Sequence, residues 1–296
     1  MAATEPPSWL DELDLHVGAP DASMGTRALG LDDWFVVDDD WEPQRAEAAA
    51  LIAERPNDVL VGLDHPAVAA PSADLLHLVR RHVTSRPGLP VPPQARGSVG
   101  QNGTGHPLVE ARTLVADDLC LLLPDGDRWL LAAGAVCFPS YWRPAEKVGR
   151  PLADVHEPVP GYPGALADRV DGFLGRLRPG RGVRRRNWSV HVVPDLHVPT
   201  WRAPEVRPGP GERWLRSERQ ALVRLEGHDA VVFSIRTQQV PVAALAGRPD
   251  VCAGLAAALR GWSPAQRTYK GGAVDDALLA WLDDHAEQVG GPPPSN

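Results

Sequence analysis

Two apolar runs, Leu119–Leu123 and Trp129–Phe138, stand on either side of Pro124-Asp125-Gly126-Asp127. Glycine reaches positive φ without steric penalty, so Asp-Gly between two apolar runs is a strong local signal for a β-hairpin. A hairpin alone is marginal in water and needs further strands or a covering helix. The sequence downstream supplies both. Residues 164–180, GALADRVDGFLGRLRPG, place Leu166, Val170, Phe173, Leu174 and Leu177 on one helical stripe, with Gly180 as a stop. Three extended segments follow at 187–193, 213–225 and 229–240, and Gly227-His228-Asp229 turns the second into the third.

Two strands, a helical crossover and three antiparallel strands predict an α+β fold: a PAS-like five-stranded antiparallel sheet with N- and C-terminal helical flanks. Such a sheet leaves a pocket between its inner face and the crossover. Upstream, Asp38-Asp39-Asp40 precede good helix formers and predict a capped helix from Trp41 to Glu54, ended by Pro56. Carboxylates at a helix start favour its positive end, which outweighs a cation site as the reading of this acidic run. A second helix follows at 71–86, with Ser72 as N-cap. Residues 86–107 are rich in proline and glycine and predict a surface loop; the glycines at 97–105 lack the following helix and lysine of a phosphate cradle. Helices at 251–263 and 274–289 precede a tail, GGPPPSN, expected to be disordered. The expected organisation is a helical arm and loop over 1–107, a core over 108–245 and a helical extension over 246–296.

Composition narrows the function. With 38 acidic against 30 basic side chains the net charge is -8, which argues against nucleic acid. The three cysteines, Cys120, Cys137 and Cys252, form no disulfide framework and have no metal-type spacing, as expected of a reducing cytoplasm. No apolar run reaches the ~18 residues of a membrane span, and the acidic first residues do not read as a signal peptide. Lysine occurs only at 147 and 270, so positive charge is carried by arginine. The cluster Arg181, Arg184, Arg185 and Arg186 reads as a solvated loop or as a docking point for an acidic electron-transfer partner. Phosphate-loop, dinucleotide-binding, zinc-protease and serine-hydrolase motifs are absent.

Most of the ten histidines lie in unremarkable positions. His156 is set apart by His-Glu-Pro-Val-Pro, which breaks helix and fixes the chain, so that a neutral imidazole there suits a metal or a heme iron. By alternation His191 shares a strand face with Ser189 and Val193. On the strand over 213–225, Arg213 and Arg219 share one face; Arg216 and Arg224 share the other with Glu218, Gln220 and Leu222. An arginine facing inward calls for a buried anion, and a propionate, phosphate or carboxylate suits it bidentately.

The residues that carry a resemblance are DLCLL at 118–122, AGAVCFPSYWRPAEKVGRPLADVHEPVPGY at 133–162, NWSV at 187–190, RSERQALVRL at 216–225 and VVFSIRT at 231–237, with WFVVDDDW at 34–41 as the start. Over roughly residues 20–245 the chain resembles the DUF3445 family, the α-subunit of heme-dependent oxidative N-demethylase. The resemblance implies a PAS fold holding heme b and a monooxygenase that uses O2 to oxidise a small amine at its N-methyl carbon, releasing formaldehyde. It implies electrons from a separate ferredoxin/flavin reductase carrying NADPH, flavin and an iron–sulfur cluster, with neither nucleic acid nor membrane as partner. Heme iron needs an axial ligand and propionates need cations. His156, inside the matching string, is the expected axial ligand, with His191 the alternative. Arg143, Lys147, Arg150 and Arg216 are expected at the propionates, and Tyr162, Glu218 and Arg219 at the substrate. Tyr141 stands where the family pattern has an arginine, Pro144 where it has an apolar residue, and His191 directly follows NWSV. These departures keep N-oxygenation of another amino compound as an alternative outcome, beside a heme-PAS sensor of gas or redox state.

Overall fold

The hairpin forms as its turn demands. In the computed structural model, which describes residues 6–15, 25–85, 105–162 and 164–287, strand β3 (Asp118–Asp125) returns through Gly126 at φ +61 into β4 (Arg128–Ala135). A register shift between Leu121 and Leu122 bends the pair. The second predicted turn also holds: β6 (Trp214–Arg224) and β7 (Val231–Pro241) pair in register around Gly227, at φ +76. Strand β5 (Gly182–His191) pairs with β6 along its whole length.

The five expected strands are present, but the sheet has seven. Two short strands from the N-terminal third, β1 (Arg27–Leu29) and β2 (Leu60–Val61), add at the edges, giving the order β1-β5-β6-β7-β3-β4-β2 with every pair antiparallel. Neither carries an alternating apolar pattern long enough to be read locally; each exists because β5 or β4 offers it an edge. Gly62 ends β2 at φ +67, where a Cβ would lie 2.0 Å from the Ala132 carbonyl oxygen, so only glycine fits.

Helices α1 (Trp41–Glu54), α2 (Pro56–Val59), α3 (Ala69–Ser85) and α4 (Pro107–Leu114) precede the hairpin. Two short helices, α5 (Pro144–Lys147) and α6 (Leu152–Val155), and the longer α7 (Ala165–Arg176) form the crossover; α8 (Pro249–Arg260), α9 (Pro264–Lys270) and α10 (Asp276–Ala286) close the chain. Helix α1 has the predicted limits, but its start is not capped by an acidic side chain: Asp38 is drawn instead to Arg236 and Gln238 across 200 residues of sequence. Ser72 lies inside α3, which begins one turn earlier. Helix α4 falls where the sequence reading ended its loop. Pro107 at its first turn and His106, whose Nδ1 accepts from Leu108 N, start it. The remainder of that loop at 86–104 with most of its glycine run, the first five residues and the tail at 288–296 lie outside the described residues. No helix among the described residues is long and apolar enough to cross a membrane.

Strand parity divides the sheet into two unlike faces. The back is closed. Leu119, Leu121, Ala221, Val223 and Val232 meet Trp34, Leu75, Leu76 and Leu108 in one cluster, and Trp188, Val190 and Leu215 meet α8 and α10 in another. On the front, Cys120, Leu122, Leu131 and Val231 are covered by Leu152, Leu174 and Leu177 of the crossover. The front of β5 and β6 beyond that cover stays open: Asn187, Ser189, Glu218 and Gln220 are half-buried and Arg185 is exposed, whereas their back-face neighbours Arg186, Trp188, Ser217, Arg219 and Ala221 are all buried.

Candidate functional site

The open front face is walled on one side by His156. Helix α6 can run only four residues before Pro158, and His156 caps its end. Its Nδ1 lies 2.9 Å from the Leu152 carbonyl oxygen. A carbonyl only accepts, so Nδ1 carries the proton and the lone pair is left on Nε2, which makes no hydrogen bond among the described residues. The ring stacks on buried Tyr162, centroids 4.4 Å apart. Burial lowers the imidazole pKa, the Leu152 carbonyl opposes this, and the charges of Arg185 and Lys147 reinforce it, so the ring is neutral at pH 7. Burial raises the Tyr162 phenol, with Asp171 adding to the effect.

The floor runs along β5 and β6. Glu218 sits opposite Asn187 in the register and accepts from Gln220 Nε2 at 3.0 Å. Lys270, at the end of α9, closes the unpaired edge of β5: its Nζ donates to Asn187 Oδ1 at 2.7 Å and to the Trp188 carbonyl at 3.0 Å. Burial pulls its amine down to about 8, against the attraction of Glu218 and with the repulsion of Arg185. Glu218 thus faces three cations, Arg185, Arg216 and Lys270.

The far wall holds the second predicted histidine. His191 is fully buried, stacks on Tyr141 at 4.7 Å and has Nε2 3.0 Å from Ser189 Oγ. Tyr141 is the one non-glycine residue with positive φ among the described residues, and Trp201 packs edge-on against it. Burial and the Arg216 charge push the His191 pKa down to about 3. Four buried polar atoms here have no hydrogen-bond partner: Tyr141 Oη, His191 Nδ1, Arg216 Nε and Thr237 Oγ1. The His191 shift predicts an acid limb. An unfolded histidine binds its proton below about 6.5 and the folded one only near 3, so stability falls as pH drops between these values. Between pH 7 and pH 4.5 urea unfolding of the wild type should lose about 2–3 kcal/mol more than that of His191→Gln, and equal losses would contradict this placement.

Several predicted residues are displaced. Glu218 and Arg219 lie on opposite faces: Arg219 points into the back and donates to the carbonyls of Trp34 at 2.7 Å and Asp33 at 2.8 Å. Arg216 shares the front with Glu218; two of its guanidinium nitrogens donate to the carbonyls of Leu196 and Phe138, while Nε has no partner. Arg143 is exposed beside Glu146 and Thr200, and Arg150 is exposed while its carbonyl holds Leu131 N. Lys147 does lie near His156. The basic cluster is split by alternation: Arg184 and Arg186 bind Glu12, and only Arg185 enters the front face. Sequence reasoning missed Arg185, Asn187 and Lys270 as members of this site. Parity with His191 would have found the first two; Lys270 comes from a helix far along the chain and carries no local signal beyond being one of two lysines.

The chain matches the model of the family described as haem-dependent oxidative N-demethylase, alpha subunit-like, over residues 93–279. It belongs to that family. The match takes in the hairpin, the crossover with His156 and Tyr162, the floor strands and Lys270, and so covers every side chain of the open face named above. As a member of the haem-dependent oxidative N-demethylase family the chain is assigned to heme-dependent oxidative enzymes, and its α-subunit-like character points to work with other subunits.

Proposed function

We propose that the open front face binds heme b with His156 Nε2 as the axial ligand, and that the chain catalyses oxidative N-demethylation of a small amine. The observation that carries the reading is the imidazole whose Nδ1 is committed to the Leu152 carbonyl while Nε2 makes no hydrogen bond among the described residues. Among the described residues no three histidine, cysteine or acidic side chains are placed to hold a bare metal ion. A porphyrin needs only an axial side chain from the protein, which fits a single held histidine. Arg185 and Lys147, both within electrostatic reach of His156, would hold the propionates. The three cysteines are buried, and burial pushes Cys137 up to about 12, so thiolate ligation is disfavoured. The PAS-like reading of the core rests on its five central strands with the crossover helices between β4 and β5.

When bound, heme supplies activation of O2 and removal of hydrogen from an N-methyl carbon. The overall change is R–NH–CH3 + O2 + 2e⁻ + 2H⁺ → R–NH2 + CH2O + H2O, with both electrons drawn from a separate reductase that carries NADPH, flavin and an iron–sulfur cluster. The chain's own residues bind and orient the amine. The Glu218 carboxylate, steadied by Gln220, takes the amine N–H and holds the methyl group toward the His156 side. When the hydroxylated carbon parts from nitrogen, the same carboxylate takes the hydroxyl proton and nitrogen gains one. The surrounding buried rings limit bulk water.

Two measurements test this. Dimethylamine with a surrogate NADPH-driven reductase should release formaldehyde one-for-one with the NADPH consumed. Glu218→Gln should cut that release about 100-fold or more while leaving the heme spectrum unchanged, and retained turnover would remove Glu218 from the role.

A further inference from the structure

Beyond the end of α7 the front face opens into a cavity of about 450 Å³. Its floor includes Phe173 and Val183, and its rim carries Arg27, Arg176, Arg178 and Arg181. Each of these arginines is exposed, and none has an ion-pair partner among the described residues. Elsewhere many arginines meet carboxylates, among them Arg45, Arg55, Arg112, Arg184, Arg186, Arg213 and Arg248. Four unpaired cations around one cavity therefore run against the balance of a chain of net charge -8. They also lie near Arg184, which the register sets directly opposite Arg27. Like charges gathered this way repel one another and are kept at little penalty only where they are solvated and screened.

We infer that this arginine-rimmed cavity is the docking surface for an acidic protein partner that serves the front face. Three observations support it. The rim is purely cationic, and an acidic surface is its complement. The arginines are exposed, which suits a protein surface and not a small anion, whose sites bury their donors. The cavity lies beside the front face, since Val183 in its wall and Arg185 stand two residues apart on the same side of β5. The inference rests on the proposed function in one respect: a partner docked here is useful because the reaction takes its electrons from outside the chain.

The test uses the full chain loaded with hemin and, as probe, a small acidic [2Fe–2S] ferredoxin. Binding is measured by surface plasmon resonance at 50 mM and 300 mM NaCl for the wild type and for Arg176→Glu, Arg178→Glu and Arg181→Glu combined. The wild type should bind, weaken at least tenfold between the two salt concentrations, and bind at least tenfold more tightly than the triple variant at low salt. The variant should keep the wild-type circular dichroism and heme spectrum, since all three positions are exposed. Absent or salt-independent binding by the wild type overturns the proposal, as does an undiminished affinity of the variant. Saturable binding of pyrophosphate at this rim without ferredoxin binding would reassign it to a small polyanion. A chain without a heme spectrum signals failure of the proposed function instead, and the salt and variant effects on ferredoxin binding are read independently of that spectrum.

Discussion

His156→Ala is expected to abolish stable heme binding. The imidazole is held by the Leu152 carbonyl through Nδ1 and by the Tyr162 ring, so alanine removes both the proposed ligand atom and the feature that aims it. His191 is fully buried behind Tyr141, and Cys120 and Cys137 are buried thiols away from solvent. The variant should fold, because the ring is only partly buried and α6 is a single turn. Hemin added to it should give a weak, non-saturating absorbance. Exogenous imidazole should restore a defined Soret band, a rescue that a merely structural role for His156 would not produce. Replacing Tyr162 by Phe should leave the spectrum nearly unchanged, because stacking needs the ring and not the hydroxyl. A wild-type-like spectrum for His156→Ala would move the ligand elsewhere.

The largest effect on stability is expected at Asp118. This carboxylate is fully buried at the start of β3 and closes three interactions: Oδ1 accepts from Arg112 Nε at 3.0 Å and from Cys137 N at 2.8 Å, and Oδ2 accepts from Phe138 N at 2.8 Å. It therefore ties α4 to the point where the chain leaves β4 and heads for the crossover. Asp118→Ala leaves the buried Arg112 guanidinium without its carboxylate and two backbone N–H groups without acceptors. Breaking a buried pair from one side typically removes about 3–5 kcal/mol, because the other charge stays behind. Asp118→Asn keeps an acceptor for one N–H and should fall between alanine and wild type. Urea unfolding followed by far-UV circular dichroism measures both, and a loss below about 1 kcal/mol for alanine would mean the strand end is held by other means.

Much of this arrangement is legible in the residues. Gly126 and Gly227 set two hairpins because a tight turn demands positive φ, and that demand is local. The stripe from Leu166 to Leu177 likewise announces a helix that covers a sheet. Parity on β6 separates Glu218 from Arg219, as the folded sheet does. What was not legible depends on partners distant in sequence. Arginine is the clearest case. Alternation shows Arg216 on the Glu218 face, but only the folded chain shows that the Leu196 and Phe138 carbonyls take two of its nitrogens. Arg219 is consumed in the same way by the carbonyls of Asp33 and Trp34. The edge strands β1 and β2 are too short to have a pattern and are defined by what they pair with. Lys270 reaches the site only because α9 returns to the free edge of β5. The placement of His156 at the end of one turn of helix before two prolines is legible because that constraint is local.

The most direct test of the central claim is a hemin titration of the purified chain, followed by absorbance from 350 to 700 nm on the order of micromolar protein. The account predicts a Soret band that saturates at one heme per chain, shifts on reduction with dithionite and shifts again with carbon monoxide, as a single histidine with an open opposite position requires. Absorbance that rises without saturation, or a spectrum unchanged by carbon monoxide, would contradict it.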